Sequence, residues 1–175
     1  MSQVRAADWS ADFPPSDIRI QCDLAMPELT LRDVTRQNWV DCIRLSLHDY
    51  QLGYVAGNAA TIAESKFKPH YHLRAIYNAE QLVGMLAYCH ETDPEDIELY
   101  WIFRLMIDKD HQRNGYATKA MKLAMLEIAQ LGGKRIRTMH KPQNTVAAAL
   151  YGQLGFHIIG ALDDGDTLLE YHFDC

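Results

Sequence analysis

From Leu99 to Asp108 the chain reads Leu-Tyr-Trp-Ile-Phe-Arg-Leu-Met-Ile-Asp, a nearly unbroken apolar and aromatic run with one charge, Arg104, inside it. Such a run has no polar face to turn toward water, so it predicts a central strand buried on both sides. After Gly115, the residues Ala120, Leu123, Ala124, Ile128 and Leu131 recur at helical spacing, and Gly132 and Gly133 stop the helix before a second strand from Arg135 to Met139. The order strand, glycine-containing loop, helix, strand is the unit around which the remaining segments must pack.

Those segments supply further strands and helices. Leu29 to Val34 alternates as a strand does, and from Thr35 the residues Trp39, Val40, Ile43 and Leu47 fall at helical spacing. Thr61 is placed to cap a short helix through Ala63 and Glu64. The runs His72 to Tyr77 and Leu82 to Cys89, separated by Asn78, Ala79 and Glu80, predict an antiparallel hairpin that ends in an acidic loop from Glu91 to Glu98. Toward the end come a helix from Asn144 to Gln153 stopped by Gly155, a strand near Phe156 to Gly160, and a turn rich in Asp163, Asp164, Gly165 and Asp166 before a last strand from Leu168 to Phe173. The fold class is α/β (α+β) with a mixed sheet. A chain of 175 residues, 48% of them apolar, buries one core, so residues 28–175 are expected as a single domain. Residues 1–27 hold Pro14 and Pro15 among several Asp and Ser with no period, and read as an irregular lead-in.

Composition narrows the function classes. Charges interrupt every apolar stretch well before the ~18 residues of a membrane span, and no basic-then-apolar leader opens the chain, so a cytoplasmic protein is expected. Cys22, Cys42, Cys89 and Cys175 lack metal or redox spacing and read as free thiols; His70 and His72 have no further ligands to complete a metal site. A net charge of -6 argues against nucleic acid and mildly favours neutral or cationic substrates.

Gln112-Arg113-Asn114-Gly115-Tyr116-Ala117 lies between the buried strand and its helix, where successive backbone N–H groups and the positive helix end hold a pyrophosphate. This segment fits the pattern Q/R-x-x-G-x-G/A. Further on, Asn144-x-x-Ala147-x-x-Leu150-Tyr151-x-x-x-Gly155-Phe156 fits N-x-x-A-x-x-L-Y followed by G-F. On these two motifs the chain from about Leu29 onward resembles the GNAT superfamily of N-acetyltransferases. Together with Gln51 to Ala56, Ala63-Glu64 and Tyr100 to Asp108, it is similar to bacterial diamine, spermidine and spermine acetyltransferases within that superfamily.

The resemblance implies a mixed, mostly antiparallel sheet flanked by helices, with a central strand pair splayed at the cofactor site. It implies acetyl-CoA as cofactor, a small-molecule amine as acceptor and a homodimer. The strand Leu105-Met106-Ile107 would pair with the pantetheine arm. The loop Gln112, Arg113, Asn114, Gly115, Tyr116, Ala117 and Thr118 would bind pyrophosphate, Asn144 and Ala147 would contact the cofactor arm, and Tyr151 would meet the departing thiolate. Asn144 and Tyr151 fall two turns apart on one helix and so face the same side. Phe103 stands where some polyamine acetyltransferases carry an acid.

Direct attack requires a neutral amine, yet an alkylammonium has a pKa near ~10.4, so roughly one molecule in a few thousand is ready at neutral pH. A base must take the proton, and Glu98 is the candidate, with His90 and the rest of the acidic segment beside it. Each buried ammonium of a polyamine would need a carboxylate, for which Glu64, Glu91, Asp93 and Asp96 are candidates. Arg104 reads as either a buried ion-pair partner or a substrate-site residue. The alternatives are acetylation of another amine, whether a protein N-terminus, lysine, amino acid or aminoglycoside, and a noncatalytic acetyl-CoA sensor.

Overall fold

The computed structural model describes residues 29–173. The lead-in expected over residues 1–27, with Cys22, and the C-terminal Cys175 lie outside the described residues.

Seven strands form one sheet in the order β1-β2-β3-β4-β5-β7-β6. They are β1 (Leu29–Asp33), β2 (His72–Asn78), β3 (Gln81–Thr92), β4 (Glu95–Ile107), β5 (Arg135–His140), β6 (His157–Ala161) and β7 (Thr167–His172). The helices are α1 (Trp39–Arg44), α2 (Asn58–Ser65), α3 (Tyr116–Gln130) and α4 (Thr145–Gln153). Every neighbouring pair runs antiparallel except β4 with β5, which α3 joins as a parallel crossover. The mixed, mostly antiparallel sheet expected from the sequence is therefore the one observed.

The apolar patterns bury two faces. On one, Ala120, Met121, Ala124 and Ile128 of α3 and Tyr151 of α4 pack with Ile76, Leu86, Tyr88, Tyr100, Ile102 and Ile136. On the other, Cys42 of α1 meets Ala75 and Met85, with Ile62 of α2 and Val34 around them. On the α3 face a part-buried polar network forms, where Glu127 accepts from Arg74 Nε and from the Tyr88 hydroxyl, each at 2.8 Å. Gly84 is required by contact, since a Cβ there would stand 2.4 Å from the Met106 carbonyl oxygen.

Three local readings need correction. Thr61 caps nothing; Gly57 precedes α2, and Thr61 is buried within it. The segment Glu91 to Glu98 is not a loop, because β3 runs to Thr92 and β4 begins at Glu95, so these acids belong to paired strands. The helix after Thr35 is short, and Trp39, Val40 and Ile43 stay partly exposed, because one turn and a half presents too little surface to bury all of them.

Candidate active site

The parallel ladder between β4 and β5 has only three rungs, Leu99↔Arg135, Tyr100↔Ile136 and Trp101↔Arg137. Beyond them the strands part. Two features of the sequence account for this. Ala87 pairs with Arg104 but Tyr88 with Ile102, so Phe103 is an extra residue that bends β4 away. On β5 the buried Thr138 donates its hydroxyl to the Ile102 carbonyl oxygen at 2.9 Å, replacing a backbone partner by a side chain. The backbone of Leu105, Met106 and Ile107 is thus left without β5 on one side, and a cleft of about 740 Å³ opens between the strands.

The loop after β4 closes one end of this cleft. Gln112 Nε2 donates to the Ile107 carbonyl oxygen (3.0 Å) and to Gln51 Oε1 (2.9 Å), tying the loop to the strand end and to the 50–56 segment that forms a wall. Arg113 and Gly115 both take positive φ, 64° and 72°. For Gly115 this left-handed turn is cheap, and it aims the free N–H groups of the first turn of α3 into the cleft. Nothing lies within 4 Å of where its Cβ would be, which leaves room for a ligand to approach the backbone. Those N–H groups, the helix dipole and the Arg113 side chain on the cleft wall fit a pyrophosphate.

Across the cleft, Asn144 caps α4, its Oδ1 accepting from the Ala147 N–H at 3.2 Å. Tyr151 follows two turns later and is 6% exposed. Burial pushes its phenol above the usual value, and the Thr138 hydroxyl beside it counters that in part. Tyr151 therefore stays protonated and is a hydrogen-bond donor through the neutral range.

Of the residues singled out in the sequence, Arg104, Leu105, Met106, Ile107, Gln112, Arg113, Gly115, Tyr116, Ala117, Thr118, Asn144, Ala147 and Tyr151 all line this one cleft. Asn114 does not. Its side chain turns back to donate to the His111 and Gln112 carbonyl oxygens, stitching the loop. Glu98 is also misplaced as a base. It sits at the paired end of β4, opposite the opening, half-exposed, with Lys134 Nζ 2.5 Å from its carboxylate. Glu91 accepts from Trp101 Nε1 at 2.8 Å. Burial pushes the Glu91 carboxyl up, but hydrogen bonds from Asp93 N–H, Trp101 and Thr92 N–H outweigh it and leave the group below its usual value. Asp96 pairs with Arg135 at 2.6 Å, and neither Glu64 nor Asp93 lines the cleft. His90 faces His70 and Tyr100 instead.

The structure adds cleft residues that the sequence left unmarked: His140, Lys141 and Asp166. His140 is buried at the end of β5, its ring loosely stacked on Tyr151 with centroids 6.2 Å apart. Its Nδ1 is 2.9 Å from the Lys141 carbonyl oxygen; because that oxygen only accepts, Nδ1 is the protonated nitrogen of the neutral ring and Nε2 the one with the lone pair. Its inward place in the alternation Ile136, Thr138, His140 was the available signal. Arg104 donates to Thr61 Oγ1 (3.1 Å) and to the Phe103 carbonyl oxygen (2.8 Å), and no carboxylate pairs with it among the described residues.

A parallel strand pair that opens onto a helix N-terminus, faced by a buried tyrosine on the next helix, is the arrangement that the resemblance to N-acetyltransferases implies. The family model described as the acetyltransferase (GNAT) family matches residues 31–156, more than half of the chain, and the protein belongs to that family. The chain is 26% identical over 140 residues, 77% of its length and 91% of the relative's, to a spermine/spermidine N(1)-acetyltransferase of Bacillus subtilis. Among solved structures, it is similar to a spermidine N-acetyltransferase from Vibrio cholerae in complex with CoA and spermine (TM-score 0.67, 16% identity, 82% of this chain and 95% of that one). It is equally similar to an aminoglycoside acetyltransferase in complex with coenzyme A (TM-score 0.68, 16% identity, 83% and 95%). The protein is thus an acetyltransferase whose cofactor is acetyl-CoA. No helix among the described residues is long and apolar enough to cross a membrane.

Proposed function

We propose that the protein transfers the acetyl group of acetyl-CoA to a primary amine, and that the acceptor is a polyamine or diamine of the spermidine and spermine type. The opening of β4 from β5 beyond Trp101 and Arg137 carries the reaction class. The acceptor class draws support from the spermine/spermidine acetyltransferase to which the chain is similar.

Bound acetyl-CoA supplies an activated thioester. The unpaired edge of Leu105 to Ile107 would bind the amide-bearing arm as an added strand does, and Arg113 with Gly115 to Thr118 would hold the pyrophosphate. Asn144, with its oxygen committed to the Ala147 N–H, keeps its amide N–H₂ for the arm. Tyr151 would donate a hydrogen bond to the sulfur of bound acetyl-CoA as negative charge develops there. A phenol with a raised pKa is a poor proton donor to a thiol of pKa ~8.5, so its work is to stabilise developing negative charge rather than to hand over its proton. His140 replaces Glu98 as the candidate base, because it lines the cleft and the Nε2 of its neutral ring is able to receive the acceptor's proton, directly or through a water.

Arg104 favours a second reading. A guanidinium in the cleft wall without a carboxylate partner suits an acceptor that bears an anionic group beside its amine, such as an amino acid or a peptide end. Thiol release from acetyl-CoA, measured against spermine, spermidine, putrescine, lysine, N-terminal peptides and aminoglycosides, separates the two. Turnover confined to polyamines supports the first reading, turnover confined to carboxylate-bearing amines the second, and binding of acetyl-CoA without turnover on any of these amines favours an untested acceptor or a sensor. A homodimer is also part of this reading, tested by sedimentation for a species of twice the 20.0 kDa chain mass.

A further inference from the structure

Among the described residues, Asp166 is the single carboxylate that lines the cleft. It ends the turn between β6 and β7 and is 13% exposed at its side chain. Its Oδ1 is closed to solvent, with Lys141 Nζ 2.7 Å from it. Lys141 leaves the end of β5, is about a third exposed, and also has Asp164 Oδ2 at 3.8 Å. This carboxylate is thus held by a primary ammonium on a flexible four-carbon stem. That ammonium is the same chemical group, on a similar alkyl chain, that a polyamine carries away from its reacting amine.

From this we propose that Asp166 is the docking point for a second ammonium of the acceptor, and that Lys141 occupies the place until the acceptor displaces it. The inference rests on the polyamine reading and deepens it. Exchanging one alkylammonium for another leaves the carboxylate paired throughout, so neither state buries an uncompensated charge. The displaced Lys141 keeps the exposed Asp164 within reach. An acceptor with a single ammonium leaves Lys141 in place and gains nothing from Asp166, whereas one with two ammonium groups recruits the carboxylate. The pair thereby selects for length and charge in the acceptor, which the reacting amine by itself does not.

Steady-state kinetics of the full chain with spermidine and with propylamine test this in Asp166→Asn and Lys141→Met, the latter keeping the stem and losing the charge. The quantity read is the ratio of kcat/KM for spermidine to that for propylamine. Asp166→Asn is expected to lower this ratio about tenfold or more, as loss of a charge-assisted hydrogen bond does. Lys141→Met, which removes the internal competitor, is expected to raise it severalfold. A structural ion pair would make both variants worse and move both substrates together, and that result overturns the proposal. The rise in melting temperature on adding acetyl-CoA reports that each variant is folded. Wild-type enzyme active on spermidine with ratios unmoved in both variants sinks the docking role alone; wild-type enzyme inactive on every polyamine sinks it together with the reading beneath it.

Discussion

Tyr151 and His140 occupy the same cleft and separate on simple tests. Tyr151→Phe removes the donor but little volume, so kcat should fall about 10²- to 10³-fold while acetyl-CoA still binds; retained turnover would remove Tyr151 from the chemistry. Because burial raises the Tyr151 phenol, its protonated form persists to alkaline pH, and the falling limb of kcat against pH should begin above ~10. A limb that starts near neutrality points to another group. His140→Gln should cost most at neutral pH and progressively less as pH approaches ~10.4, where the acceptor amine is already neutral; a loss constant across pH would mean packing rather than proton removal. Cys42 and Cys89 are pushed up to about 11 by burial, with the charge of Asp41 and Glu91 adding to it. At pH 8 about one such thiol in a thousand is a thiolate, so peptide mapping after brief alkylation should find both unlabelled until the protein unfolds.

Among the elements, the β4–β5 opening is the one on which function depends, and a cross-strand contact next to it is the most exposed to mutation. Gly84→Ala would drive a methyl into the Met106 carbonyl oxygen at 2.4 Å and the Ile107 side chain at 2.9 Å. Overpacking of this kind costs about 1–3 kcal/mol, to be read as a lower urea midpoint, and the displaced strand carries the edge we propose to bind cofactor, so KM for acetyl-CoA should rise as well. An unchanged midpoint would show that β3 and β4 can part at no cost. The strand and helix identities were legible because the period-2 and period-3.6 patterns are local. The extension of β3 and β4 through Glu91 and Glu95 was not, since acidic residues at a hairpin end look the same as a solvated loop until Trp101 and Arg135 are seen to satisfy them.

For the molecule as a whole, the order of elements, the glycine-containing loop before α3 and the asparagine–tyrosine helix were written in the chain, because each depends on residues a few positions apart: Gly115 before a helix, Asn144 and Tyr151 two turns apart. Those residues do meet at one cleft. Which carboxylates and bases belong to that cleft was decided only by the tertiary structure. Glu98 and Asp166 are both acids at a strand end, but the sheet places Glu98 at the paired end of β4 beside Lys134 and brings Asp166 to the open end against Lys141. No local pattern distinguishes them, since the difference arises where strands distant in sequence stop pairing, and that point is set by the extra residue at Phe103 and by the Thr138 hydroxyl on the Ile102 carbonyl oxygen. Periodicity and turn chemistry act within a segment and survive in the sequence; charge pairing and strand divergence act between segments and exist only once the sheet has formed.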